Sequence, residues 1–308
     1  MHGFLILDKP AGISSAKAVG EVKRLLACKK IGHGGTLDPL ASGILPLAIG
    51  EATKAFDYIA SAVKQYRFTV TFGEERSTDD AEGNITAATT NLPTREDIIR
   101  ILPQFIGHVM QMPPVYSALK IDGKRAYARA RAGEQVEMTA RMVEIFALEM
   151  EESCELQVAS CMDISPATRN LQHATIAFTF AVTCGKGTYV RSLARDIARS
   201  CNSLGYVSML RRTAVGVFKE NKAISLDKLA GLVHNAALFE AWVSIELALD
   251  DIPAIDVNAL QAGKLRHGQS IGVVIPEGKV MALHQGRIVA LAESLHGMLR
   301  PVRVFNLD

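Results

Sequence analysis

The pattern of apolar and polar positions predicts a mixture of short strands and amphipathic helices. Buried or half-buried strands are predicted over Phe4–Asp8, Ile44–Ile49, Gln65–Phe72 and Thr175–Thr183. Amphipathic helices are predicted after the capping residues Ser14 and Ser15, from about Glu51, and over Thr94–Phe105 and Thr188–Ser200. Because strands and helices do not alternate regularly, we expect an α+β fold with a mixed, mainly antiparallel sheet flanked by helices, not a doubly wound sheet.

The pattern changes after Asp250, and this change suggests a second domain. Short apolar segments separated by glycine-rich turns follow one another there, as in a small β-rich domain. We therefore expect one domain over residues 1–250 and a smaller one over residues 251–308. Glu151–Gln172 is polar and irregular, so we expect a loop or an insertion in that stretch.

Several features favour a protein of the cytoplasm. No stretch reaches the roughly 18 uninterrupted apolar residues that a membrane-spanning helix needs. Asp8 and Lys9 interrupt the N-terminal segment before a signal-peptide apolar region could form. Five cysteines contain no C-x-x-C pair, which is typical of reduced thiols and not of a disulfide framework or a zinc site.

The net charge of +2 conceals an uneven distribution of charge. Three windows, Met1–Leu40, Leu119–Arg141 and Lys186–Arg212, hold 18 of the 34 lysines and arginines but only 7 of the 32 acidic residues. If these windows met on one face, that face would attract a polyanion. Solvated lysines scattered over the surface would explain the same counts, so the charge alone leaves both interpretations open.

The segment Gly32–Gly43 contains a single carboxylate, Asp38, after three closely spaced glycines. Glycines allow a close backbone approach or a positive φ angle, and Pro39 restricts Asp38 to extended geometry. The pattern predicts an aspartate presented on a rigid loop, either as a reactive group or as the cap of the next segment. No Gly-Lys-Ser/Thr follows, so the loop is not a phosphate-binding P-loop.

This loop and six other blocks resemble the TruB family of tRNA pseudouridine-55 synthases. The blocks occur in family order over roughly residues 3–218, which a single coincidental motif cannot explain. They are Asp8–Ser15, Gly32–Lys54, Tyr66–Phe68, Ser77–Gly83, Pro113–Tyr127, Gly185–Leu193 and Leu210–Thr213. The tail after Asp250 resembles the small PUA-like RNA-binding domain of this family only loosely.

The resemblance implies roles for individual residues in converting a uridine to pseudouridine. It implies that Asp38 is the catalytic carboxylate, that Arg191 is its cationic partner and that Tyr66 stacks on the uracil. Whether Asp38 adds to the base, adds to C1′ or removes the C2′ proton stays open. The reaction changes no oxidation state and adds no outside group, so no cofactor is expected, and no second ligand at metal spacing accompanies His33.

The family's substrate implies RNA contacts for a further set of residues. The uridine at position 55 lies in the T-loop of tRNA, so it must be extruded before Asp38 can reach it. His33 would fill the gap in the RNA, Tyr189 and Leu210 would line the pocket, and Lys9 with Pro10 would brace it. An RNA-clasping insertion over about residues 113–141 would contact phosphates through Lys120, Lys124, Arg125, Arg129 and Arg131.

Four further arginines, namely Arg195, Arg199, Arg211 and Arg212, are secondary candidates for RNA contacts. The expected partner is the T-arm stem-loop of tRNA, with no membrane and no obligatory protein partner.

Two other functions remain possible at this point. A non-catalytic RNA-binding or RNA-folding protein could keep the insertion and the C-terminal domain, but it could lose Asp38, Tyr66 or Arg191, and all three are present. A small-molecule hydrolase with one aspartate is disfavoured, because no second carboxylate and no nucleophile–base pair stands out.

Overall fold

The computed structural model describes residues 1–117, 119–121, 123–158, 174–232 and 241–307, and only the backbone at residues 120, 125, 128, 131 and 152–158. The α-helices are α1 (Ser15–Leu25), α2 (Phe56–Ser61), α3 (Arg95–Ile101), α4 (Ala126–Arg131), α5 (Val190–Ser200), α6 (Leu226–Leu232), α7 (Ile245–Ala248) and α8 (Ala259–Arg266). Short 3₁₀ helices span Gly50–Ala55, Leu102–Phe105 and Glu220–Lys222.

Most of the remaining regular structure is β. The strands are β1 (Gly3–Lys9), β2 (Ile31–His33), β3 (Ser42–Ile49), β4 (Lys64–Phe72), β5 (Glu74–Arg76), β6 (Ile85–Ala88), β7 (Gly107–Gln111), β8 (Lys120–Ile121), β9 (Lys124–Arg125), β10 (Arg141–Val158), β11 (Ala174–Cys184), β12 (Gly205–Val215), β13 (Phe218–Lys219), β14 (Trp242–Val243), β15 (Ala254–Asp256), β16 (Ile271–Gly272), β17 (Gly278–His284), β18 (Arg287–Leu295) and β19 (Met298–Val304).

Helices α1 and α3 begin at the capping residues that predict them. Ser14 is the N-cap of α1, and its hydroxyl accepts a hydrogen bond from the Lys17 N–H at 3.2 Å. Thr94 caps α3 in a reciprocal capping box with Asp97, and the helix then tightens into a 3₁₀ turn that ends at Phe105. The predicted helix over Thr94–Phe105 is therefore confirmed in its start and extent.

The chain divides into two compact units. The first comprises Met1–Asp38, Gly43–Ala62 and Val215–Asp308, and the second comprises Pro39–Ser42 and Val63–Ala214. In the first unit, β1 is antiparallel to both β3 and β14, and β2 is antiparallel to β3. These short strands hold the two ends of the glycine-rich loop in place.

The C-terminal β domain belongs to the first unit. Its five strands follow the order β15-β17-β18-β19-β16, with β15 parallel to β17 and the other described pairs antiparallel. Leu291 and Phe305 of this domain share one buried cluster with Phe4 and Ile6 of β1. The Lys54 ammonium also donates to the Val304 carbonyl at 2.7 Å. The domain is therefore packed into the core of its unit, and its assignment as PUA-like, with a boundary at residue 250, stays a prediction.

The second unit contains a sheet with the strand order β12-β4-β11-β10-β7. Phe68 and Phe72 of β4 are fully buried and face Phe180 and Phe178 of β11, with ring centroids 5.3 and 5.9 Å apart. Cross-strand aromatic pairs of this kind stabilise a sheet beyond the area they bury. The prediction that β4 is half-buried, with these two residues in the core, is confirmed.

The expectation of an irregular loop over Glu151–Gln172 is wrong in its first part. Strand β10 continues to Val158, and after a register shift beyond Met150 it pairs with β11 from Cys154 to Val158. The long partner strand satisfies the backbone groups of this stretch, so polar side chains do not prevent a strand there. Residues 159–173 lie outside the described residues.

The predicted fold class is confirmed. The described residues form mixed and antiparallel sheets with flanking helices and a C-terminal β-sheet domain, as an α+β fold requires. Within the part of the chain that the structure describes, no helix combines the length and the apolarity that a bilayer span requires.

Candidate active site

Hydrogen bonds hold both sides of the loop that carries Asp38. The Gly34 N–H donates to the Pro46 carbonyl at 2.9 Å, where the loop leaves β2. Near its other end, the Ser15 hydroxyl accepts from the Leu37 N–H at 2.8 Å and donates to the Leu37 carbonyl at 2.9 Å. Asp38 follows immediately and is half-buried. The predicted rigid presentation of one aspartate therefore has a structural basis.

The glycines before Asp38 serve two different purposes. Gly35 has a φ angle of 115°, a conformation that residues with a β-carbon rarely adopt. Gly32 and Gly34 are closely packed instead: an added β-carbon would lie 2.7 Å from the Phe56 ring and 2.9 Å from the Ile59 side chain. The sequence pattern predicted that glycines here allow a positive φ angle or a close backbone approach, but it did not indicate which glycine has which property.

His33 and Lys9 lie near this loop in the same unit. His33 ends β2, where it faces Leu47 of β3, and its side chain is half-buried. Lys9 ends β1 and is fully buried, with its ammonium donating to the Pro10 carbonyl at 2.8 Å and to the Ile13 carbonyl at 2.7 Å. A buried ammonium needs such partners, and here they fix the turn that leads into α1.

Tyr66 lies in the second unit, on the same strand as the buried Phe68. Its backbone position faces Val182 of β11, and its side chain is half-buried. In contrast to Phe68 and Phe72, it is partly accessible, so its ring can contact a ligand while the strand beyond it is anchored in the core.

Arg191 is a buried residue at the start of α5, with partners from two distant parts of the chain. Its guanidinium donates to the Thr78 carbonyl and to the Tyr116 carbonyl, both at 2.9 Å. The Asp80 carboxylate lies 3.5 Å away, and both side chains of this ion pair are at most 5% exposed. The guanidinium is therefore fixed in position and orientation, as charge-assisted contacts of this kind require.

Asp80 lies in Ser77–Gly83, one of the blocks that resemble the family, and the sequence indicated no role for it. It follows Asp79, whose φ angle is 59°, and it accepts hydrogen bonds from the Thr78 hydroxyl and from the Glu82 N–H. A carboxylate in a turn of Ser, Thr, Asp and Gly residues is a common turn signal. The buried arginine that it faces lies more than 100 positions away, so the local pattern could not reveal the pairing.

The neighbouring arginines of α5 make internal ion pairs. Arg195 contacts Asp79 at 3.0 Å and Asp196 at 3.1 Å, and it donates to the Met112 carbonyl at 2.8 Å. Burial raises the pKa of both carboxyl groups, and the Arg195 guanidinium opposes this shift. The main role of Arg195 is therefore structural.

Of the other secondary candidates, Arg199 forms an ion pair with Glu75 at 3.0 Å and remains 57% exposed, and its contact with RNA stays a prediction. Arg212, in contrast, is only 1% exposed, and its burial does not support its role as a secondary candidate for an RNA contact. Its position on a strand whose neighbours alternate between core and surface explains the difference, because charge alone does not tell which face a strand residue occupies.

Tyr189 and Leu210 also belong to the second unit. Tyr189 precedes α5 as its N-cap residue, is half-buried, and donates its backbone N–H to the Gln111 side chain at 2.8 Å. Leu210 lies in β12 and is 6% exposed. Both residues have apolar surface, and their roles as pocket residues stay predictions.

The predicted RNA-clasping insertion contains a small hairpin, β8 with β9, followed directly by α4. Lys124 is exposed in this hairpin. Arg129 is paired with Glu134 at 2.7 Å. The side chains of Lys120, Arg125 and Arg131 lie outside the described residues. The described part of the insertion therefore contains regular secondary structure, and its phosphate contacts stay predictions.

A cavity of about 580 Å³ lies where the two ends of this insertion meet the helix α5. Its walls include Met112–Tyr116, Val136–Met138, Arg195 and Arg199. Among the described residues, no cluster of three or more His, Cys, Asp or Glu side chains could hold a metal ion.

The structure divides the predicted site residues between the two units. Lys9, His33 and Asp38 belong to the first, and Tyr66, Tyr189, Arg191 and Leu210 belong to the second. The ion pair of Asp38 with Arg191 stays a prediction.

The fold has counterparts among solved structures. A chain in the structure of an H/ACA RNP bound to a substrate RNA containing 2′-deoxyuridine superposes with a TM-score of 0.71 at 22% identity, covering 99% of this chain and 85% of that chain. An archaeal box H/ACA sRNP complex gives a TM-score of 0.69 at 21% identity, over 99% and 86% of the two chains. This chain therefore shares the fold of these two chains over almost its whole length.

The sequence comparisons define the family. Residues 23–190 match the TruB family pseudouridylate synthase N-terminal domain, and residues 191–250 match the tRNA pseudouridylate synthase B C-terminal domain. tRNA pseudouridine synthase B of Bradyrhizobium diazoefficiens is 46% identical over 317 residues, covering 100% of this chain and 86% of that protein. The corresponding protein of Caulobacter vibrioides is 43% identical, over 100% and 97%. The chain belongs to the TruB family of pseudouridylate synthases.

Proposed function

We propose that this protein isomerises the uridine at position 55 in the T-loop of tRNA to pseudouridine. The observation that carries the proposal is the 46% identity, over the whole chain, to a protein named tRNA pseudouridine synthase B. The geometry of the chain supports it: a braced loop presents one aspartate, and an arginine is fixed in place by three partners.

The chemistry needs few groups. The bond between N1 of uracil and C1′ of ribose breaks, the uracil turns, and C5 then bonds to C1′, so no redox partner or outside group is consumed. A carboxylate acting as nucleophile or base, and a pocket that retains the detached uracil, are sufficient. Asp38 is the carboxylate in this proposal.

Arg191 keeps Asp38 ionised in the proposed mechanism. A carboxylate beside an apolar pocket tends to take up a proton, and a cation within about 4–6 Å favours the charged form instead. The guanidinium of Arg191 is suited to this role because its own position is fixed by the Thr78 and Tyr116 carbonyls and by Asp80. Tyr66, anchored beside the Phe68 core, stacks on the uracil.

RNA recognition involves both the pocket and the surface. The target base must leave its stack, at a cost of a few kcal/mol that stacking on protein side chains offsets. His33 occupies the gap in the RNA, Tyr189 and Leu210 line the pocket, and Lys9 braces the loop from within the core. Lys120, Lys124 and Arg125 in the clasp, with the PUA-like C-terminal domain, contact the T-arm. We place the reaction in the cytoplasm, with tRNA as the partner.

The test is direct. Purified protein is incubated with unmodified tRNA transcribed in vitro, and pseudouridine is mapped at nucleotide resolution. We expect product at position 55 and in an isolated T-arm stem-loop. Pseudouridine at another position would contradict the assigned substrate site, and RNA binding without any product would favour the non-catalytic function.

A further inference from the structure

The side chain that braces the Asp38 loop belongs to a helix far away in sequence. Ser15 is the first residue of α1, 22 positions before Leu37, and it is 2% exposed. Its single hydroxyl binds both backbone groups of Leu37, accepting from the N–H and donating to the carbonyl. Leu37 is itself 3% exposed, so water does not replace these two hydrogen bonds.

The two hydrogen bonds constrain the backbone directly before Asp38. The Leu37 carbonyl and the Asp38 nitrogen belong to one planar peptide unit, so fixing the carbonyl fixes the orientation of that plane. On the other side, Pro39 restricts the ψ angle of Asp38 to extended values. The direction of the Asp38 side chain is therefore set from both sides, by Ser15 before it and by Pro39 after it.

Ser15 is itself held in place. The Lys9 ammonium binds the Pro10 and Ile13 carbonyls at 2.8 and 2.7 Å, which shapes the turn that leads into α1. Ser14 separately caps the helix through the Lys17 N–H, a hydrogen bond that involves neither Ser15 nor Leu37. The capping function is thus supplied by Ser14, and the hydroxyl of Ser15 is directed to the loop alone.

We propose that Ser15 is a positioning residue for the isomerisation, acting through Leu37 to hold the Asp38 carboxylate in the geometry that reaches the uridine. This inference rests on the proposed function of Asp38. Displacements of about 1 Å at a reacting group cost up to about a hundredfold in rate, so a loosened loop affects turnover more than RNA binding. Ser15 contributes to the reaction without touching the substrate.

The experiment compares Ser15→Ala, Ser15→Cys and Ser15→Thr with wild type and with Ser14→Ala. Ser14→Ala is the matched control, because it removes the cap hydrogen bond of the same helix and leaves Leu37 untouched. Three quantities are measured at a temperature where circular dichroism shows each variant folded: the single-turnover rate of pseudouridine formation in tRNA, the Kd for tRNA, and the Tm.

For Ser15→Ala we expect a single-turnover rate at least about tenfold below wild type, with the Kd unchanged within about twofold. Ser15→Thr, which keeps the hydroxyl, restores most of the rate, and Ser15→Cys, a weaker hydrogen-bonding group, lies between. Ser14→Ala keeps the wild-type rate even where its Tm falls.

A Ser15→Ala variant that turns over at the wild-type rate overturns the inference. So does a rate loss shared equally by Ser14→Ala, because it would reflect helix stability alone. If Ser15→Ala does not fold, the order of Ser15→Thr and Ser15→Cys decides in the same way. Wild-type protein without product contradicts the proposed function instead, so the two failures are distinguishable.

Discussion

The carboxylate of Asp80 lies 3.5 Å from the guanidinium of Arg191, and both side chains are almost completely buried. Two buried charges are stable together when each also has hydrogen-bond partners, and here Thr78 and Glu82 serve Asp80 while the Thr78 and Tyr116 carbonyls serve Arg191. The pair joins the start of α5 to the turn after β5. It fixes the arginine that the proposed reaction needs.

Replacing Asp80 is expected to affect both stability and activity. Asp80→Asn leaves the buried guanidinium without its opposite charge, and breaking a buried pair in this way costs about 3–5 kcal/mol. We expect a lower Tm and a single-turnover rate reduced by at least about tenfold, since Arg191 loses its fixed position. Glu75→Gln is the control, because the Glu75 pair with the exposed Arg199 contributes at most about 1 kcal/mol. Equal effects of the two substitutions would argue against the role of Asp80.

Arg191→Lys tests geometry at constant charge. A lysine ammonium is a point charge on a flexible stem and does not reproduce a planar guanidinium that reaches three groups at once. We expect a rate loss of about a hundredfold, or about 2.7 kcal/mol in the barrier, in single-turnover assays. Arg199→Lys, two turns later on the same helix and largely exposed, should keep its rate. Full activity of Arg191→Lys would show that charge alone is sufficient.

Asp38→Asn removes the proposed nucleophile or base and keeps the size of the side chain. We expect no detectable pseudouridine, with the Kd for tRNA within about threefold of wild type, because the contacts to phosphates are unchanged. Binding is measured by filter retention, and product is mapped by nucleotide. Asp57→Asn, at a side chain that is 86% exposed, is the control and should be fully active. Substantial product from Asp38→Asn would remove this residue from its proposed role.

Cys184 is expected to make the protein less stable at alkaline pH. Burial raises the pKa of its thiol from 9.0 to about 11 in the folded state, while the Thr188 hydroxyl and the nearby Lys64 oppose the shift. Between these two values the unfolded chain loses the proton and the folded chain keeps it, so stability falls as the pH rises above 9. At pH 10.5 this titration lowers the free energy of unfolding by about 2 kcal/mol.

The measurement is urea denaturation at pH 8 and pH 10.5, for wild type and for Cys184→Ala. The variant is less stable at pH 8, because a buried group is removed, but its loss between the two pH values should be smaller than that of wild type. Identical losses in the two proteins would show that the thiol does not titrate in this way.

Removing residues 251–308 is expected to destabilise the remaining chain. Leu291 and Phe305 are buried against Phe4 and Ile6, so the truncation exposes a shared core, and losing one large buried side chain already costs about 3–5 kcal/mol. We expect aggregation or a fall in Tm of more than about 10 °C, measured by calorimetry, before any effect on RNA affinity can be assessed. A truncated chain with an unchanged Tm would show that the domain is independent.

The local elements could be predicted from the sequence because their signals are local. Ser14 and Thr94 are capping residues at the ends of amphipathic segments, and β4 alternates apolar and polar residues. The Asp38 loop was also predictable, since its glycines and Pro39 restrict the backbone by themselves. Contacts between residues that are distant in sequence could not be predicted, because no periodicity relates Ser15 to Leu37, or Arg191 to Asp80 and Tyr116.

Two features differ from what the local sequence indicated, for the same physical reason. The end of β10 was expected to be irregular because its side chains are polar, yet pairing with β11 determines its conformation. Arg212 was a secondary candidate for an RNA contact, yet its strand places it in the interior. In both cases the tertiary environment overrode the preference of the residue itself.

The discontinuous make-up of the first unit has a consequence for biosynthesis. Its core combines Phe4 and Ile6 with residues as late as Phe305, whereas the second unit is almost one continuous stretch, Val63–Ala214. The second unit is therefore synthesised before Phe305, which the core of the first unit needs. We expect the second unit, with the arginines of α5, to fold on the nascent chain before β1 can pack against residues of the C-terminal domain. The segment that carries Asp38 belongs to this first unit, so we expect the proposed catalytic aspartate to reach its final surroundings only after Phe305 has been synthesised.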